Sequence, residues 1–306
     1  MRVINQEITE NWAAYHGDCV DTVKGLPENS IDFSIYSPPF ESLYTYSNSV
    51  RDMGNSKNSD EFWMHYRFLI SEMYRAIKPG RLVAVHCMDL PTSKSHHGYI
   101  GLRDFPGEIV WAHQQAGFIY HSKITIWKDP VTAMQRTKAL GLLHKQIVKD
   151  SCMSRQGIPD EVRVFRKPGG NEEPVAGEFE FFIGEDFKTS GKNKSIDIWQ
   201  RYASPVWMDI NPSDTLQKAS ARDDNDERHI CPLQKQVIER CLQLWTNEGD
   251  TVLTPFGGIG SEGYVALNMG RKAILVELKD SYFRQLVKNM KEADATSATQ
   301  MRLEIA

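Results

Sequence analysis

Short apolar runs alternate with amphipathic stretches through the first 130 residues. Residues 12–40 alternate apolar segments with turns, and Ile31-Asp-Phe-Ser-Ile-Tyr36 is the clearest strand among them. From Asp60 to Lys78 the apolar residues Phe62, Tyr66, Leu69, Met73 and Ile77 recur at helical spacing, which predicts a helix stopped by Pro79-Gly80. Arg81–Cys87 then reads as a buried strand. Asp104 can cap a second helix, with Pro106 in its first turn and Gly117 beyond its end. Ile119–Trp127, rich in β-branched and aromatic residues, predicts another strand. This rhythm implies a largely parallel sheet covered by helices.

The rhythm breaks near Lys128 and returns near Pro232. Pro232 suits the first turn of a helix running to Trp245. After the turn Asn247-Glu-Gly-Asp250 come a strand at 251–255, a glycine turn, a helix at 262–269, a strand at 273–277 and a last helix from Asp280. The tail after Ala293 reads as loose. The predicted fold is α/β: a doubly wound, mostly parallel Rossmann-like sheet. Residues 1–127 form one half, 229–306 the other, and 128–228 an insertion lying against the sheet.

Charge sharpens the picture of the middle. The net charge of −4 gives no general affinity for nucleic acid, so such a partner must be met by a local basic face. Residues 121–170 carry ten Lys/Arg against four Asp/Glu, whereas 171–186 carry six acids and no Lys/Arg. A solvated face is the bland alternative for such a run. The five cysteines form no C-x-x-C pair, so a reduced, cytoplasmic protein without disulfides or structural zinc is expected. His96-His97 lacks an accompanying ligand cluster, and no metal is expected. The start, Met1–Glu7, has no apolar signal region, and no apolar run is long enough to span a membrane.

Two segments carry chemistry. In Asp250-Thr-Val-Leu-Thr-Pro-Phe-Gly-Gly-Ile-Gly-Ser261 a strand runs into glycines that open a helix, and Glu277 closes the next strand. This layout suits a nucleoside: glycines admit the ligand to the backbone, the helix start presents N–H groups to a carboxylate, and the acid accepts from a ribose diol. A tight connection or an NAD fold would share the glycines, but Pro255-Phe256 stands where a dinucleotide fingerprint has its first glycine. The second segment, Ser37-Pro38-Pro39-Phe40, follows the strand 31–36. Its prolines fix φ and remove two N–H donors, leaving the Pro38 carbonyl and the Ser37 hydroxyl as acceptors. Two such acceptors can hold the N–H bonds of a planar amine and aim its lone pair, with Phe40 stacking on the ring that bears it.

In this order the segments resemble the S-adenosylmethionine (AdoMet)-dependent DNA methyltransferases directed at exocyclic amino groups, specifically the group with the catalytic motif first and the cofactor motif last. The resemblance covers most of the chain apart from the middle. It implies catalysis at Ser37, Pro38, Pro39 and Phe40. It places AdoMet against Asp18, Cys19, Ser37, Cys231, Pro232, Gln234, Thr254, Pro255, Phe256, Gly257, Gly258, Gly260, Ser261 and Glu277. It also implies double-stranded DNA as partner, a base flipped into the pocket, an antiparallel strand at Ile119–Trp127 and a homodimer. Tyr44 and Tyr46 can close over the base. Arg136, Lys138, Lys145, Lys149, Arg155, Arg163 and Arg166 are the candidate DNA readers, with Gln146 and Gln156 able to bond an adenine edge. Ser37 is commoner in enzymes acting on cytosine N4, while the runs around Cys231 and Pro255–Gly263 are more similar to phage- and prophage-type methylases acting on adenine. Adenine N6 is the expected target, and cytosine N4 the alternative. RNA or protein-amide methylation and a non-enzymatic DNA-binding regulator stay open at this point.

Overall fold

The computed structural model describes residues 3–40, 53, 56, 59–92, 94–131, 142, 144–176, 199–217 and 232–305. Its strands are β1 (Asn5–Ile8), β2 (Trp12–His16), β3 (Ile31–Tyr36), β4 (Ile77–Cys87), β5 (Leu90–Thr92), β6 (Gly101–Arg103), β7 (Ile119–Ile126), β8 (Asp160–Arg166), β9 (Val206–Trp207), β10 (Thr251–Thr254) and β11 (Lys272–Glu277). The longer helices are α1 (Cys19–Lys24), α2 (Ser59–Ala76), α3 (Phe105–Gln115), α4 (Lys235–Trp245), α5 (Ser261–Asn268) and α6 (Asp280–Ile305).

Nine strands form one sheet in the order β1-β2-β11-β10-β3-β4-β8-β7-β9, and β5 pairs with β6 apart from it. β2, β11, β10, β3 and β4 are parallel. From β10 the chain winds toward β11, and from β3 it winds toward β4, so the direction of winding reverses between β10 and β3. In doubly wound sheets such a switch opens a crevice at the carboxyl ends of the strands. Helices cover both faces. One core contains Val237 and Cys241 of α4, Val265 of α5 and Leu286 of α6 packed on Phe33, Ile35 and Val252. The other contains Val23 of α1, Phe62 and Tyr66 of α2 and Ile109 of α3 packed on Val83, Val85 and Tyr36. Burying each large apolar side chain stabilises such a layer by about 1.5–3 kcal/mol.

The edge opposite the crevice is pinned by charge. Arg81, only 2% exposed, donates to Asp32 at 3.1 Å and to Asp250. Lys78 adds a 2.7 Å ion pair to Asp32, whose carboxylate also accepts the Thr251 N–H at 2.9 Å. Burial pushes the Asp32 carboxyl up, but the bonds from Lys78, Thr251 and Arg81 outweigh it and hold the group below the usual carboxylate range. One guanidinium thus ties together the starts of β3 and β10 and the middle of β4.

The structure corrects several expectations. Beyond β4 the strand that runs against the sheet is β8, inserted between β4 and β7, not Ile119–Trp127; β7 itself points the same way as β4. β8 alternates charged residues with Val162 and Val164, and only pairing on both sides buries the valines. β8 and β9, from the stretch expected to be an insertion, are therefore strands of the sheet. The helix expected to reach Lys78 ends at Ala76, because Ile77 pairs with Ile31 and Lys78-Pro-Gly80 extends the strand. Pro232 precedes α4, whose cap is Gln234. Helix α6 runs on through the expected loose tail to Ile305. Asp104 does cap α3, accepting the Gly107 N–H at 2.7 Å. Among the described residues no helix is long and apolar enough to cross a membrane.

Candidate active site

Parallel pairing puts the carboxyl ends of β2, β11, β10, β3 and β4 on one edge, in that order. Asp18, Glu277, the glycine turn, Ser37–Phe40 and His86 are therefore brought to the same side of the sheet, although they span more than 250 residues of sequence. The two motif strands are direct neighbours. Val252 pairs with Phe33, Leu253 pairs with Ser34, and the Ser34 hydroxyl donates to the Leu253 carbonyl at 2.7 Å. Just above, the rings of Tyr36 and Phe256 meet at 5.7 Å.

The glycine turn is held from the strand beside it. Gly257 N–H donates to the Val276 carbonyl at 2.7 Å, and a Cβ at Gly257 would come within 2.8 Å of Leu286. Gly258 (φ 52°) and Gly260 (φ 90°) take left-handed backbone that favours glycine. Glu277 accepts the Gly258 N–H at 2.7 Å through one oxygen and the Lys279 N–H at 2.7 Å through the other. A carboxylate offers about four lone-pair sites, so it can hold a turn and still accept from a ligand. Asp18 caps α1 by accepting the Asp21 N–H at 3.0 Å. The neighbouring Cys19 thiol is pushed up by burial, then by the charges of Asp18 and Glu277, and stays protonated.

Three polar groups at this edge bear on a nucleoside cofactor. Thr254 Oγ1, at the end of β10, is buried without a hydrogen-bond partner. Gln234 Oε1 is also buried and unpartnered, and the side chain makes no cap bond although Gln234 occupies the cap position of α4. Buried polar atoms are normally satisfied, and an orphan at a cleft fits a ligand's donor. Glu262, in the first turn of α5, is pushed up to about 8 by burial and is therefore neutral at pH 7. The donor set fits AdoMet: acceptors for ribose and amine groups, aromatic rings beside them and left-handed glycines at the helix start.

At the second motif Pro38 is buried, whereas Ser37, Pro39 and Phe40 are half-buried. Phe40 meets Phe105 edge-on at 5.8 Å. Ser37 Oγ lies 3.3 Å from His86 Nδ1. The other ring nitrogen of His86 lies 3.2 Å from Asp160 Oδ2, close enough for an ion pair but off the line of a good hydrogen bond. Lys128 donates to the other oxygen of Asp160. Burial pushes the Asp160 carboxyl up, but His86 and Lys128 outweigh it and hold it down to about 2. Asp160 starts the antiparallel β8 at this edge, where no sequence spacing links it to His86. In the sequence His86 stands only as part of the buried strand Arg81–Cys87.

The basic residues of the middle separate into two sets. Lys123 and Arg163 pair with Glu161, Lys128 with Asp160, and Lys167 is buried against Asn29 and the Ile77 carbonyl. Arg163 also donates to the Tyr120 hydroxyl at 2.6 Å. Arg163 and Arg166 sit in β8, and Arg155 is half-buried with its guanidinium donating to the Gln156 carbonyl. Lys145 and Lys149 are exposed. Tyr44, Tyr46, Arg136, Lys138 and Cys231 lie outside the described residues, as do the side chains of His96 and Gln146. Among the described residues Asp32, Glu173 and Asp250 bring carboxylate oxygens within 4.8 Å of one another, but Arg81 and Lys78 already lie among them, at the edge away from the site.

A family model described as DNA methylase, for amino-directed N6 and N4 enzymes, matches residues 31–288. Type II methyltransferase M.BamHI of Bacillus amyloliquefaciens is 25% identical over 266 residues, covering 86% of this chain and 54% of that protein. The chain thus spans about half the length of this relative. DNA adenine methyltransferase YhdJ of Escherichia coli (strain K12) is 22% identical over 297 residues, covering 94% of this chain and 85% of the relative. The solved structure of PvuII DNA methyltransferase (cytosine-N4-specific) superposes with a TM-score of 0.64 at 16% identity, over 97% of this chain and 95% of that one. The match establishes the shared fold.

Proposed function

The chain belongs to the DNA methylase family, and from that premise we propose that it transfers a methyl group from AdoMet to the exocyclic N6 of adenine in double-stranded DNA. The observation that carries this reading is the adjacency of β3 and β10: the Ser37–Phe40 turn and the glycine turn leave neighbouring strands on either side of the switch in winding. A donor held by one turn therefore lies next to an acceptor held by the other.

Bound AdoMet supplies a methyl group already activated on a sulfonium. Glu277 would accept from its ribose, Asp18 from its adenine and Thr254 from its amine, with Phe256 beside it. The Pro38 carbonyl and Ser37 hydroxyl accept the two N–H bonds of the base amine and turn its lone pair toward the methyl. This positioning supplies much of the rate, because the leaving group needs no further activation. The amine of a paired base lies inside the stack, so the base must be extruded, at a cost of roughly a few kcal/mol. Phe40 offers a ring to the flipped base.

Adenine is supported by the adenine activity in the name of the relative that aligns with 94% of the chain. Ser37 favours a second reading, cytosine N4, because many adenine enzymes of this kind have Asp or Asn there. Incubation with AdoMet labelled in the methyl group, together with DNA, RNA and protein, tests the substrate class. Label should enter DNA alone; label in RNA or protein, or in nothing, would refute the reading.

A further inference from the structure

We propose that His86, oriented by Asp160, holds the Ser37 hydroxyl so that its oxygen faces the target amine, and receives the Ser37 proton when the amine proton departs. This inference rests on the methyl-transfer reading and adds a positioning residue to it. Ser37 Oγ is 3.3 Å from His86 Nδ1, and His86 Nε2 is 3.2 Å from Asp160 Oδ2. His86 is 8% exposed and Asp160 2% exposed, so neither is screened by bulk water. Lys128 donates to the other oxygen of Asp160 and helps keep its carboxyl ionised, so a negative charge stands beside Nε2. A carboxylate there favours the tautomer with its proton on Nε2, which leaves Nδ1 as an acceptor for the Ser37 O–H. The lone pairs of Ser37 Oγ are then free for an N–H of the base, whereas a serine in an ordinary turn can rotate its hydroxyl to donate instead.

The step balances without another reactant. The amine nitrogen forms a bond to the methyl carbon, and the carbon–sulfur bond breaks with its electron pair staying on sulfur. The nitrogen has become cationic and gives its proton to Ser37 Oγ, while the Ser37 proton passes to His86 Nδ1. The resulting imidazolium sits beside the Asp160 carboxylate, the arrangement by which a buried acid stabilises a histidine cation in hydrolytic triads.

Other titrating or charged groups surround His86. On its own strand is Cys87, whose thiol is pushed up by burial and then by Glu161. Across the pairing at Val162 stand Glu161 and Arg163 of β8, which pair with each other. On the β3 side is Tyr36, its phenol pushed up by burial. Beyond the strand end is Asp89, pushed up by burial and then by the charge of Glu161. Asp89 is the group able to mimic an acid limb, so Asp89→Asn serves as the control.

The test is the single-turnover rate of methyl transfer to bulk unmethylated bacterial DNA across the pH range in which the protein stays folded, with AdoMet affinity measured in parallel. Wild type should lose rate tenfold per pH step on the acid side, and Asp89→Asn should keep that limb. His86→Asn offers a carbonyl acceptor that does not titrate; it should be slower than wild type at the top of the range but lack the acid limb. His86→Ala should be about 10²–10⁴-fold slower, with AdoMet affinity unchanged within about threefold. A wild-type rate and an intact limb in His86→Asn would overturn the proposal while leaving methyl transfer standing. Loss of AdoMet binding in His86→Asn would make His86 a structural residue and also overturn it. No methyl transfer by the wild type would remove the underlying reading itself.

Discussion

Glu277 and Gly258 are joined by a 2.7 Å bond from the glycine N–H to the carboxylate. The residue assigned to ribose therefore also holds the turn that shapes the pocket. AdoMet is expected to bind at roughly micromolar affinity, about 8 kcal/mol. Glu277→Ala removes both the diol acceptor and the anchor of the turn, and should weaken binding at least tenfold by calorimetry. Glu277→Gln keeps one acceptor oxygen and should fall between the two. Wild-type affinity in the alanine variant would remove Glu277 from the cofactor site.

Ser37→Ala should lower turnover while leaving AdoMet affinity nearly intact, since the hydroxyl is assigned to the target amine. Phe40→Ala should lower turnover as well, and it also loses the edge contact with Phe105. Steady-state rates with DNA and cofactor titrations separate these effects. Wild-type turnover in both variants would place the base elsewhere.

DNA affinity should depend on the exposed part of the basic stretch. Lys128, Arg163 and Lys167 are engaged within the protein and the exposed Lys123 pairs with Glu161, whereas Lys145 and Lys149 are exposed. If about four to six phosphates are neutralised, the log–log salt slope should be roughly −4 to −5. Replacing Lys138, Lys145 and Lys149 by Gln should flatten it by about 2 to 3 and leave AdoMet affinity unchanged. An unaltered slope would make this stretch a solvated face.

Glu262 ties stability to pH. Burial pushes its carboxyl up to about 8, above its ordinary range. Below about pH 4 it is protonated in both folded and unfolded chains and contributes no slope. As pH rises toward 8 the unfolded chain loses this proton first, so stability falls. Glu262→Gln removes that slope. Urea unfolding without cofactor should find the variant more stable than wild type at pH 8, by on the order of a few kcal/mol, and close to it at pH 4. An equal difference at both pH values would show that Glu262 does not titrate in this way.

The parallel core was legible because its strands are short stretches rich in apolar and β-branched residues that run into proline or glycine turns, as at Ile31–Tyr36 and Thr251–Thr254. The glycine turn and the Ser-Pro-Pro-Phe turn were legible because their chemistry is local. β8 was not, since Asp160-Glu-Val-Arg-Val-Phe-Arg166 reads as a charged surface until β4 and β7 enclose its valines. The Ser37–His86–Asp160 chain was hidden for the same reason: each member ends or starts a different strand, and only the sheet order puts them side by side. The extent of the strand at Ile77 was missed because a proline and a glycine signalled a stop where pairing with β3 extends the strand.

The central claim is methylation of an amino nitrogen in DNA, with adenine as the target. Unmethylated plasmid DNA incubated with the protein and AdoMet, digested to nucleosides and analysed by mass spectrometry, tests it most directly. N6-methyladenine is expected, absent when AdoMet is omitted and strongly reduced with Ser37→Ala. N4-methylcytosine would contradict the assignment of the base, and no methylated nucleoside from protein that binds AdoMet would contradict the claim as a whole.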